Sequence, residues 1–179
     1  IGQELPLIQR IMNKMEVENS SFNAYKKLLL HPLKYRLFLL SRLPLVFFTG
    51  TRIREITTEQ SVVSVKYKWL NQNPFHSLYF AVLAMAAELS TGALCMGFIY
   101  KQEPSISMLI VKLEAEFLKK ATGTILFKCD DGNRIHQTIE QAIISGESQS
   151  IRCTSTGYNE KNEVVAVFNV EWSFKVKRK

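Results

Sequence analysis

The stretch from Ser77 to Tyr100, SLYFAVLAMAAELSTGALCMGFIY, is 24 residues long and holds one charged side chain, Glu88. A run this long and apolar passes the length and hydropathy test for a membrane span. Glu88 lies near its middle, where a carboxylate costs roughly 2.5–3.5 kcal/mol on insertion scales, and Ser90, Thr91 and Gly92 follow it. The amphipathic strands around it need a core, which a helix apolar on all sides supplies when a sheet wraps it. The expectation is therefore a buried core helix and no transmembrane segment. At 1.5 Å per residue it would run about 36 Å, so a bend near Gly92 or Gly97 is expected.

The flanking segments read as helices first and strands afterwards. Leu5 to Met15 and Phe22 to Leu43 have helical apolar spacing. Asn19, Ser20 and Ser21 offer caps between them, and Pro32 suits the first turn of a new helix. Three short helices are predicted there. Thr51 to Trp69 is rich in β-branched residues; Val63, Val65, Tyr67 and Trp69 alternate with Ser64, Lys66 and Lys68. Two strands with a tight turn near Glu59 and Gln60 fit that pattern. ISMLIVKLEAEFL and GTILFKCDDG read as further strands, and RIHQTIEQAIISGE as a short helix stopped by Gly146. In the last segment Val164, Ala166, Phe168, Val170, Trp172, Phe174 and Val176 share one face, which predicts a long antiparallel strand with one wet side.

With 179 residues and 46% hydrophobic content the chain suits one folded unit. A formal charge of +7 favours anionic partners without choosing among them. Cys95, Cys129 and Cys153 are far apart, have no metal-type spacing, and read as buried thiols of a reducing, cytoplasmic setting. No secretory leader is visible in the sequence given. There is no P-loop, Rossmann or RNA-binding signature, so nucleic acid is not an expected partner and no metal is expected. His31 beside Pro32 and His136 in an amphipathic helix read as capping or surface residues. A serine hydrolase is not expected, since the adjacent His76 and Ser77 do not make a Ser-His pair with an orienting acid and no Gly-x-Ser-x-Gly turn is present.

NPFHSLYFAVLAMAAELSTG, Asn73 to Gly92, resembles the active-site helix of hotdog-fold acyl-CoA thioesterases. In those proteins an Asn precedes a Gly/His-rich loop and an acid follows nine residues after the His. The segment is most similar to an uncharacterised subfamily known only as a domain of unknown function, whose helix reads roughly N-H-x-G-T-x-H-A with A-E-L-A-x-G further on. VKLEAEFLKKATG and EVVAVFNVEWSFK resemble the family's later strands, and the resemblance covers about Leu43 to Lys177. It implies an α+β hotdog fold: a long central helix wrapped by a curved antiparallel sheet of about six strands. Residues 1–46 would form an N-terminal helical extension and 47–179 the hotdog domain.

The resemblance also implies a site. Asn73 matches the family's Asn, Glu88 its catalytic acid, and Gly92 the small residue one turn beyond. The departure is at the histidine: nine residues before Glu88 stands Tyr79, while His76 falls where the family has Gly. Tyr79 offers a hydroxyl donor whose geometry differs from that of imidazole. The implied activity is hydrolysis of an acyl-CoA or other acyl thioester, with coenzyme A as part of the substrate and no separate cofactor.

Physical chemistry gives Glu88 a role of its own. Thioester hydrolysis needs donors at the carbonyl oxygen and a base for water, or a carboxylate that attacks. Backbone amides at the helix start, around Ser77, Leu78 and Phe80, can supply the donors. Desolvation should raise the pKa of Glu88 toward a useful range for a base. Tyr79 and Glu88 are nine residues, about 14 Å, apart on one helix, too far to serve one carbonyl. Two chains paired across a two-fold axis would unite them, so a homodimer or higher oligomer is expected. Phe75, His76 and Gly92 are candidate substrate contacts, and Phe75, Tyr79, Phe80, Met85 and Met108 candidate walls of an acyl tunnel. The competing expectation is a non-catalytic hotdog module that binds acyl-CoA or fatty acyl ligands, or a dimeric scaffold. His31 to Phe48 could cap the pocket, pad a dimer or touch a membrane surface.

Overall fold

A computed structural model of the chain describes residues 20–177. The helix expected over Leu5 to Met15 lies outside them. Three helices come first: α1 (residues 20–30), α2 (Pro32–Arg42) and α3 (Pro44–Thr49). Proline opens both α2 and α3, where its missing N–H costs nothing. The His31 Nδ1 accepts the Lys34 N–H at 3.4 Å and so caps α2.

Strands β1 (Arg52–Ile56) and β2 (Ser61–Lys66) form a hairpin, with the turn at the place expected. Beyond Lys66 the expected alternation stops. Lys68 donates to the Phe48 carbonyl at 2.9 Å, and the Asn71 amide nitrogen donates to the Thr49 and Lys66 carbonyls, both at 2.9 Å. These bonds wind Trp69–Asn71 into a 3-10 turn and leave Trp69 82% exposed. Then follow α4 (Phe80–Ile99), β3 (Ile106–Phe117), β4 (Thr124–Cys129), α5 (Gly132–Ser145), β5 (Gln149–Tyr158) and β6 (Val164–Val176).

The six strands form one antiparallel sheet in the order β1-β2-β4-β5-β6-β3, and α4 packs on it, which is the hotdog architecture. Twelve of the twenty residues of α4 are buried. Ala86, Ala87, Leu94 and Cys95 meet a core of Val63, Val65, Ile125, Phe127, Phe168 and Val170. The hydroxyls that counted against a bilayer hold the helix to the sheet. Ser90 and Ser155 pair at 2.7 Å, and the Trp172 Nε1 donates to the Thr91 hydroxyl at 3.0 Å. So α4, although long and apolar enough to cross a membrane, is a core helix.

The strand β6 buries Ala166, Phe168, Val170, Trp172 and Phe174 as its alternation requires. Its neighbour β3 holds one surprise. The register shifts between Ile110 and Lys112, so the core side passes from Ile106, Met108 and Ile110 to Leu113, Ala115 and Phe117. Leu113 and Phe117 face inward yet stay exposed at the edge of the sheet. Cys95, Cys129 and Cys153 come together in the core as free, buried thiols, and burial pushes the Cys95 and Cys129 pKa values up.

Candidate active site

The loop from Gln72 to Tyr79 sets how α4 begins. The Asn73 Oδ1 accepts the Phe75 N–H at 2.9 Å, the Ser77 N–H at 3.2 Å and the Ser77 hydroxyl at 3.2 Å. Its Nδ2 donates to the Leu78 carbonyl at 3.4 Å. Asn73 is thus the organiser of the loop, its side chain facing back into it. His76 sits at φ 58°, the left-handed region where glycine is at ease. That is why a Gly suits this place and why His76 projects outward, exposed.

The amide donors divide sharply. The Ser77 N–H is taken by Asn73, the Leu78 N–H by the Ala121 carbonyl at 2.9 Å, and the Tyr79 N–H by the Asn71 carbonyl at 2.8 Å. These bonds hold residues 77–79 in the loop, so the helix starts at Phe80, later than the apolar run implies. Of the three amides singled out from sequence, Phe80 keeps a free N–H, joined by Ala81. Neither has an acceptor among the described residues, as expected for the first turn of a helix with no side-chain cap. Tyr79 is the N-cap, its ring edge-on to Phe80 at 4.9 Å. Phe75, Tyr79 and Phe80 are exposed.

Glu88 stands more than two turns along α4, half-buried, and its carboxylate has no hydrogen-bond or ion-pair partner among the described residues. Desolvation raises its pKa above the ordinary 4.5. Gly92 lies one turn on. A Cβ there would sit 3.1 Å from the Glu88 Oε1 and 3.2 Å from the Trp172 Cζ2. The missing side chain therefore gives the carboxylate its berth, and the Trp172 ring forms the wall. Burial raises the pKa of Tyr25, on α1, with smaller contributions from Tyr35, Cys95 and Glu88, which puts Tyr25 within electrostatic reach of the acid. Tyr25 has no signal in the sequence, while Thr91 was visible only as a polar residue after Glu88 and Trp172 only as one inward residue of β6.

Phe80, Ala81, Ala84, Met85 and Glu88 form a continuous, incompletely buried stripe along the first half of α4. It carries two free donors at one end and a desolvated acid at the other. From Ala81 to Glu88 is about 10 Å along the axis. The arrangement can polarise a carbonyl at one place and accept a proton at another.

No curated protein matches the chain. Residues 36–174 match the family described as domain of unknown function, DUF4442. A solved structure from Pseudomonas aeruginosa, described as a protein of unknown function and probable thioesterase, is similar at 21% identity. It covers 82% of this chain and 97% of that one, with a TM-score of 0.70. A Chlorobaculum tepidum protein of unknown function is similar at 15% identity, covering 89% and 100%, with a TM-score of 0.72. A Haemophilus influenzae thioesterase is similar at 16% identity, covering 77% and 87%, with a TM-score of 0.56. With the match spanning most of its length and the fold shared with these structures, the chain belongs to the DUF4442 family and has the hotdog fold.

Proposed function

We propose that the protein hydrolyses an acyl thioester, with Glu88 as general base or nucleophile and the free amides at the start of α4 as the oxyanion site. The observation that carries this reading is the carboxylate of Glu88: desolvated, without a partner among the described residues, and given its space by Gly92 against Trp172. A structural acid at such depth would be expected to hold hydrogen bonds. An unpaired one with a raised pKa suits proton abstraction near neutral pH.

The distance between acid and amides calls for a second copy. Antiparallel pairing of two α4 stripes about a two-fold axis would bring Phe80 and Ala81 of one chain to Glu88 of the other, giving two equivalent sites. The outer edge of β3, unpaired among the described residues, and the exposed, inward-facing Leu113 and Phe117 suit edge-to-edge joining of the sheets. Tyr79, beside these amides, would orient the substrate carbonyl or the acyl chain, and Phe75 and Met85 would line the acyl path. The substrate would be an acyl-CoA or related thioester, in a cytoplasmic, reducing compartment that suits three free thiols.

The test is release of free thiol from a panel of short, medium and long acyl-CoAs. Turnover with at least one member is expected, and Glu88→Gln should lower it about a hundredfold or more while fold and assembly persist. Tyr79→Phe then tells whether the hydroxyl shares the donor's task. Full activity in Glu88→Gln would sink the mechanism. Saturable acyl-CoA binding without turnover of any member would make the protein a binding module.

A further inference from the structure

The helices ahead of the sheet carry a surface that the proposed site does not use. Eight of the 21 exposed large apolar side chains among the described residues fall within residues 30–48. On α2 the core side is Tyr35 and Leu39. At about 100° per residue, Leu33, Leu37 and Leu40 form a second apolar stripe on the opposite, outward side. Lys34 borders it on one flank and Arg36 on the other. Leu45 and Phe48 continue the surface along α3, at 70% and 56% exposure. The 3-10 turn is tied to the end of α3 by the bonds of Lys68 to Phe48 and Asn71 to Thr49. It adds Trp69 and Leu70 at the margin.

Charge selects the occupant. Residues 20–54 contain seven Lys or Arg (Lys26, Lys27, Lys34, Arg36, Arg42, Arg52 and Arg54) and no Asp or Glu. A second copy of this chain would oppose the same cations to themselves. We propose that this face docks the protein on the surface of a bilayer rich in acidic phospholipids, with α2 and α3 lying in the interface plane. Leucines in the acyl boundary, cations beside them at the level of the phosphates, and an exposed Trp at the rim are what such a surface accommodates. The cleft behind it, lined by Leu29, Pro32, Tyr35 and Phe47 with Arg36 and Arg52 at hand and about 270 Å³ in volume, is an apolar recess beside two cations. It suits a lipid chain with its phosphate at the mouth. The proposal stands whether or not Glu88 is catalytic.

The test uses the full chain and vesicles of phosphatidylcholine alone or with about 30 mol % phosphatidylglycerol. Flotation should recover the protein with the acidic vesicles, at least about tenfold more tightly than with the neutral ones, and salt should weaken the binding. Trp172 is buried and Trp69 exposed, so a blue shift of tryptophan emission on acidic vesicles reports the rim entering the interface. Leu33→Ser with Leu37→Ser, both at solvent-facing positions, should cost at least about tenfold in binding. Lys34→Glu with Arg42→Glu should cost about a hundredfold. Acyl-CoA turnover is read separately, so its absence leaves the vesicle result intact. The proposal is overturned if the wild-type chain stays soluble with unchanged emission. It is equally overturned if the serine variant binds like wild type, or if that variant alters sedimentation while vesicle binding persists.

Discussion

Replacing Gly92 with Ala probes the berth of Glu88 by a single methyl group. The new Cβ would lie 3.1 Å from the Glu88 Oε1 and 3.2 Å from the Trp172 Cζ2, each a few tenths of an ångström too close. One neighbour has to yield. Trp172 is buried and holds Thr91 through a 3.0 Å hydrogen bond worth about 1 kcal/mol, so its ring resists. The Glu88 carboxylate has no bond to lose among the described residues and swings on three torsions. Alanine within a helix gains about 1 kcal/mol over glycine, and the crowding takes back a similar amount. Stability should therefore change by less than about 1 kcal/mol, or roughly 2–4 °C in Tm for a chain of this size. Turnover should fall about a hundredfold, the scale for displacing a reacting group by about 1 Å. Gly97→Ala is the control in the same helix. Its Cβ would press on the Phe22 ring across the α1 contact, so it should lose about 1–3 kcal/mol without a specific loss of turnover by the folded fraction. Thermal melts and kcat/KM of both variants decide the matter. A folded Gly92→Ala protein with wild-type turnover would refute the idea that the carboxylate needs this position.

Other outcomes follow from the same contacts. Because burial raises the Glu88 pKa, the folded chain holds a proton that the unfolded chain releases near 4.5; stability is full below that value and is lost as pH rises through the raised one. Glu88→Gln should therefore be more stable than wild type at neutral pH, with the gap closing in acid; urea melts showing a gap independent of pH would contradict it. His76→Gly removes a side chain from φ 58° and should add about 0.5–1 kcal/mol after the entropy of glycine is counted, read as a higher Tm. The proposed pairing predicts a dimer in sedimentation at micromolar concentration, and Leu113→Glu at the exposed edge should shift it toward monomer with loss of turnover. A fully active monomer would rule the pairing out.

The central helix and the last strand were readable because each advertises one period over many residues: Ser77 to Tyr100 without a polar side, and Val164 to Val176 with strict alternation. What escaped was set by single contacts between distant residues. The start of α4 moved to Phe80 because the Asn71 and Ala121 carbonyls and the Asn73 side chain capture the amides of residues 77–79. The apolar pattern carries no trace of those bonds. Tyr67 and Trp69 continued the alternation of β2 on paper, yet Lys68 and Asn71 wind that segment onto α3. The bulge in β3 changes which residues face inward with no glycine or proline to announce it. Gly92 could be picked out as a small residue one turn from Glu88. That its emptiness is shared by Glu88 and Trp172 depends on a partner 80 residues away.

The separation of acid and donors has a cause in the core. A helix that packs across five strands of the sheet must be long, and α4 at twenty residues runs about 30 Å. Free amides exist only in its first turn. An acid placed there would bind them itself as an N-cap and be neither desolvated nor free. Moved two turns inward, to Glu88, it escapes that capture, and the sheet takes water from it, which raises its pKa. The same distance then removes the amides from its reach within one chain. The requirements for a strong base and for an open oxyanion site thus conflict along a single helix. Two antiparallel copies would resolve the conflict, each supplying the end that the other lacks.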